Sequence, residues 1–166
     1  MRRFSRIIAL LLQLLAVEMG VDVESAGSTT FKREDLVRGF EPDECFYFSG
    51  NIERVRGKED IVLDAGDPPP DLVVEVDITN PSLDKLPIYA RLGVAEVWRY
   101  AGGRFAILGL EDEGGGYAEM AESRFLPVLT REALARFVEE GLTTRYPDWA
   151  RKVREWARGL DAKSDG

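Results

Sequence analysis

The segment Leu72-Val73-Val74-Glu75-Val76-Asp77-Ile78 constrains the fold more than any other stretch of the chain. A strand alternates its side chains, so Asp71, Val73, Glu75 and Asp77 share one face and Leu72, Val74, Val76 and Ile78 the other. Its apolar majority predicts burial on both faces, as in a central strand. Two carboxylates inside such a run are the anomaly, because a buried acid is costly unless it is paired or holds a metal. One segment therefore predicts both a central strand and a place to look for chemistry.

The flanks can be read from turn and helix signals. Pro68-Pro69-Pro70 is a rigid, extended lead-in, and Asn80-Pro81-Ser82 breaks the strand. A helix is expected from there to about Leu92, stopped by Gly93, with Asp84 as N-cap and Pro87 in the first turn. Residues 94–100 (VAEVWRY) and 104–110 (RFAILGL) read as strands paired across Gly102-Gly103, with a short strand near 117–121 after a Gly-rich turn at 114–116. Upstream, residues 3–19 read as a helix ended by Gly20, 21–26 as a half-buried strand, and Thr29-Thr30-Phe31 as a second short strand. Residues 32–38 suggest a helical turn. Cys45-Phe46-Tyr47-Phe48 is dense in strand formers, and residues 51–67, after the turn at Ser49-Gly50-Asn51, are expected to be mostly loop. Thr130 caps a helix over 131–140, and a last helix over 145–160 sets Trp149, Val153 and Trp156 on one side. The order predicts a mixed α/β (α+β) domain over residues 1–160, a central mixed sheet flanked by helices, with a polar tail at 161–166.

Composition narrows the chemistry. A chain of 166 residues that is 45% hydrophobic can bury a core without staples. It contains no histidine, which excludes Ser-His-Asp and Cys-His triads and the His-ligated zinc hydrolases. The lone Cys45 excludes a disulfide framework and fits a reducing, cytoplasmic setting. Hydrolysis would then fall to carboxylates holding a hard cation such as Mg²⁺, with Lys or Tyr assisting. A net charge of −8 weighs against a tight grip on phosphate.

The first residues, Met1 to Arg6, are basic, and 7–17 are apolar except for Gln13, a pattern shared with signal peptides. No small-x-small cleavage site follows closely and the run is too short to span a bilayer, so a buried helix is expected, with secretion as the alternative.

Three blocks carry a family likeness: GSTTFKR at 27–33, GFEPDECFYF at 39–48 and PPPDLVVEVDITNPSLDKLPIYARLGVAEVWRY at 68–100. In this order they resemble the PD-(D/E)XK nuclease superfamily and, within it, the putative restriction endonuclease family. With the preceding helix the likeness covers about two thirds of the chain. It implies a restriction-endonuclease-like core and a Mg²⁺- or Mn²⁺-dependent endonuclease acting on DNA, which in many such enzymes works as a homodimer. It also implies Asp43 and Glu75 as metal-binding carboxylates, the Val76 backbone carbonyl as a further ligand, and a catalytic lysine. The superfamily places that lysine two residues after Glu75, where this chain has Asp77. The resemblance moves the amine to Lys85 in the following helix and leaves Asp77 to join the metal shell or bond to Lys85. Members resembling this block carry a hairpin ahead of the first helix, whereas here the helix starts at once, which implies a shortened form or an upstream start.

Each residue also has a plainer reading. Asp43 after Pro42 suits a turn, and Lys85 suits a solvated helix face. Asp71 stands about 13 Å from Glu75 along the strand, too far to share one ion, and is expected to be structural. Lys32 and Tyr89 are weaker candidates for phosphate contact or site support, and Trp98 is expected in the core. The alternative function is a non-catalytic interaction protein that keeps the nuclease fold.

Overall fold

Helix α1 (Arg2–Met19) turns the apolar N-terminal run into core and ends at Gly20, whose φ of 68° suits glycine. Ile8, Leu11, Leu12 and Leu15 recur at helical spacing and are fully buried, while Val17 on the opposite side is 73% exposed. These relations come from a computed structural model, which describes residues 2–27, 30–32, 42–77, 85–112 and 115–164. The chain continues through β1 (Val23–Ser25), β2 (Thr30–Lys32), β3 (Glu44–Phe48), α2 (Gly50–Val55), β4 (Asp60–Val62) and β5 (Leu72–Asp77). It ends with α3 (Leu86–Leu92), β6 (Glu96–Ala101), β7 (Arg104–Leu110), β8 (Tyr117–Met120), α4 (Arg131–Thr143) and α5 (Tyr146–Ser164).

Six strands form one mixed sheet in the order β1-β3-β5-β6-β7-β8. β5 and β6 are parallel, as the intervening helix α3 allows, and the other neighbours are antiparallel. β5 is thus paired on both edges, and both of its faces are covered. Leu72, Val74 and Val76 join one core cluster with α1, α4, α5, Phe46 and Trp98. Val73 joins the other, with Cys45, Tyr47, Tyr89 and Val97. Burial on both sides is why this strand reads as nearly continuous apolar sequence.

The expected mixed α/β architecture is the observed one. Thr130 caps α4 by accepting the Ala133 N–H at 3.1 Å, and Trp149, Val153 and Ala157 of α5 are fully buried. Trp149 Nε1 donates to the Phe137 carbonyl at 2.8 Å, locking α5 to α4. α5 continues to Ser164, past the end expected at residue 160. The expectation for 51–67 needs correction: instead of mostly loop, it contains α2, β4 and a short 3₁₀ turn at Leu63–Ala65. Ile52 and Val55, one helical turn apart, are buried while Glu53 and Arg54 face out, a pattern too short to stand out from its polar surroundings. β4 pairs in parallel with β2 as a separate two-stranded sheet. The expected N-cap Asp84, the end of the central strand at Ile78 and residues 33–38 of the expected helical turn lie outside the described residues. Among the described residues no helix is long and apolar enough to cross a membrane.

Glu96, at the start of β6, is fully buried on the α1 side. Its carboxylate accepts from Trp98 Nε1 at 2.8 Å, Ser123 Oγ at 2.6 Å and the Arg124 N–H at 2.8 Å. These bonds tie the segment after β8 to the central sheet. Burial nevertheless raises the carboxyl above its ordinary value of 4.5. A carboxyl raised by folding stabilises the protein most in acid, and that contribution is lost as pH rises through its folded value.

Two outcomes follow from this packing. In urea unfolding, Leu11→Ala costs about 2–5 kcal/mol, whereas Val17→Ala stays within about 0.5 kcal/mol. Glu96→Gln replaces one of two acceptor oxygens by a donor facing donors and costs about 1–3 kcal/mol. Its deficit against wild type narrows as pH is raised from about 4.5 to about 7; a deficit that widens contradicts the assignment.

Candidate active site

The β3–β5 ladder ends with the pair Glu44↔Val74, while β5 runs on beside β6 to the pair Asp77↔Ala101. Past Val74 the β3-facing edge of β5 has lost its ladder partner. Asp43, one residue before β3, supplies a replacement: its Oδ2 accepts the Val76 N–H at 2.7 Å. In a strand the carbonyl of a residue leaves by the same edge as its N–H, so the Val76 carbonyl is directed toward the Asp43 side.

Glu75 alternates onto the other core face, toward α3, and its side chain is 15% exposed. Two groups of the α3 segment meet it. The hydroxyl of fully buried Tyr89 donates to Glu75 Oε1, and Lys85 Nζ lies 3.7 Å from the same oxygen. Lys85 and Tyr89 are four residues apart on one helical face, with the Tyr89 N–H donating to the Lys85 carbonyl at 3.1 Å. Lys85, 29% exposed, retains access to solvent.

The electrostatics of the pair of acids are unbalanced. Burial raises the Glu75 carboxyl and the negative Asp43 adds to the rise, against the hydrogen bond from Tyr89 and the charge of Lys85. Burial, reinforced by the charge of Glu75, pushes the Tyr89 hydroxyl far above its usual range, so it remains a proton donor. Oxygen donors of this kind suit a hard divalent cation, which is held by one or two carboxylates and completes its shell with water and phosphate. A cation between Asp43 and Glu75 would also relieve their mutual repulsion. Among the described residues no group of three or more His, Cys, Asp or Glu side chains is placed to hold a metal ion, so a cation here would rest on the two carboxylates and backbone or water oxygens.

Asp77 and Asp71 differ from this pair. Asp77 Oδ2 is 3.9 Å from Arg99 Nη2, and Arg99 is the register partner of Glu75 on β6. Sequence reasoning missed Arg99, because only strand pairing places it beside Glu75. Asp71 accepts the Phe48 N–H at 2.7 Å and Asn51 Nδ2 at 2.8 Å, so it ties the end of β3 to α2. Beside Asp43 a cleft of about 450 Å³ opens along α1, lined by residues that include Arg6, Gln13, Ser25 and Glu44.

Comparison with known proteins supplies the family. The family described as putative restriction endonuclease (Uma2) matches residues 2–145, and the chain belongs to it and thereby to the PD-(D/E)XK superfamily. No curated protein and no solved structure matches the chain.

The two classes of acid can be separated experimentally. Asp71→Ala leaves the Phe48 N–H and the Asn51 amide without their acceptor and lowers unfolding stability by about 1–3 kcal/mol. Divalent-cation affinity, measured calorimetrically on the folded variant, is expected to stay at the wild-type level.

Proposed function

We propose that this member of the restriction endonuclease family is a divalent-metal-dependent endodeoxyribonuclease that hydrolyses DNA phosphodiester bonds. Asp43, Glu75 and the Val76 carbonyl would hold Mg²⁺ or Mn²⁺, and Lys85 is the catalytic amine. One observation carries the reading: Asp43 is bonded to the backbone next to Glu75, and Lys85 Nζ stands 3.7 Å from the Glu75 carboxylate. Groups far apart in sequence converge at the end of one strand pair.

A bound divalent cation supplies neutralisation of phosphate charge and a water of lowered pKa. Asp43 serves two ends, satisfying the Val76 N–H with one oxygen while its negative charge faces Glu75. Lys85 carries its charge on a flexible four-carbon stem, so its ammonium can exchange Glu75 for a phosphate oxygen and offset charge developing there. Asp77 engages Arg99, which favours a supporting part over direct ligation. A cytoplasmic location and action as a homodimer belong to the same proposal, and the buried, free Cys45 accords with a reducing compartment.

A net charge of −8 favours the competing reading, a non-catalytic interaction protein on the same fold. Supercoiled plasmid incubated with Mg²⁺ or Mn²⁺ decides between them. The wild type is expected to nick it, with Glu75→Gln slower by about a hundredfold or more, or about 2.7 kcal/mol of lost transition-state stabilisation. Equal nicking by both proteins overturns the catalytic part given to Glu75, and none by either supports the interaction protein.

A further inference from the structure

A buried tyrosine hydroxyl needs a hydrogen-bond partner, and most such partners are backbone groups or inert side chains. Tyr89 instead bonds to Glu75, the acid of the central strand that also meets Lys85. Its ring is fully buried in the core formed with Cys45, Val73 and Val97, so the hydroxyl cannot follow a mobile carboxylate. It is a donor at a fixed point. The backbone on either side is also anchored: the Val94 N–H donates to the Tyr89 carbonyl at 3.0 Å, tying α3 to the approach to β6.

Glu75 has three rotatable side-chain bonds, and a hard cation demands defined ligand directions. With Oε1 held by Tyr89, the carboxylate is restricted before any ion arrives. The same contact sets Lys85, one helical turn earlier, against the same oxygen at 3.7 Å. We infer that Tyr89 is a positioning residue whose buried hydroxyl orients the Glu75 carboxylate and seats Lys85 beside it, thereby setting divalent-cation affinity without touching cation or substrate. Outer partners of metal-binding carboxylates typically change affinity or activity by about 10–100-fold when removed. This inference rests on the metal-dependent reading proposed above.

The test uses Mn²⁺ alone as the probe, titrated calorimetrically into the full chain as wild type, Tyr89→Phe and Glu75→Gln. Tyr89→Phe keeps the ring in the core and removes only the hydroxyl. It is expected to bind Mn²⁺ about 10–100-fold more weakly, while its unfolding midpoint stays close to that of wild type. A tyrosine that merely supports the fold would lower the unfolding midpoint and leave Mn²⁺ affinity unchanged, which overturns the inference alone. If wild type and Glu75→Gln both fail to bind Mn²⁺, the metal-dependent reading falls and this inference falls with it. A second measurement covers a Tyr89→Phe protein that does not fold. With 3-fluorotyrosine at position 89 of the otherwise wild-type chain, the ¹⁹F resonance is expected to shift on adding Mg²⁺. A resonance that stays fixed while Mg²⁺ binds overturns the positioning role.

Discussion

Where β3 stops pairing with β5, the protein faces the constraint around which its site is arranged. β5 is a central strand whose backbone donors and acceptors must all be met, yet its β3 ladder closes at Val74 while the strand runs on to Asp77. Asp43 fills the gap by accepting the Val76 N–H. That bond satisfies the Val76 donor on the strand edge and at the same time fixes a carboxylate near Glu75. Structural necessity and candidate chemistry meet in one hydrogen bond, so the site needs no separate scaffold. The helices covering both faces hold β5 in place, and the parallel partner β6 keeps its other edge satisfied to the strand end.

The acids of this region show how environment sorts residues of one type into different roles. Glu96 is the most deeply buried, yet three donors surround its two oxygens and leave it little to do beyond holding the segment after β8. Asp71 is satisfied by a backbone N–H and an amide, and it braces the turn into α2. Glu75 differs in meeting a like charge as well: Tyr89 and Lys85 favour its charged form, while burial and the negative Asp43 oppose it. A residual electrostatic conflict near a solvent-accessible amine is a common mark of a functional position.

Much of this was legible in the linear chain, for identifiable reasons. The 3.6-residue recurrence of Ile8, Leu11, Leu12 and Leu15 is long enough to declare α1, and Gly20 and Gly93 mark helix ends through a conformation that few other residues adopt. Glu75 stood out because an acid in an apolar strand has few excuses. The short elements were harder to read. α2 rests on only two apolar positions, Ile52 and Val55, and β4 on a single buried side chain, Ile61. Arg99 carries no local signal at all, since its relation to Glu75 exists only through the parallel register of β5 and β6. Tyr89 was visible as a helix residue four after Lys85, but its bond to Glu75 depends on how α3 lies on the sheet.

By itself the sequence determined the class of fold, the central strand, the exclusion of histidine chemistry and the resemblance that pointed to Asp43, Glu75 and Lys85. Those follow from local periodicity, composition and motif order, which need no third dimension. Only the tertiary structure decided which groups stand together: Asp43 at the Val76 N–H, Lys85 and Tyr89 on one oxygen of Glu75, Asp77 with Arg99, and Asp71 with the turn into α2. The reason is geometric. Strand register and helix docking set distances of a few ångströms between residues far apart in the chain, and no local pattern encodes a distance of that kind.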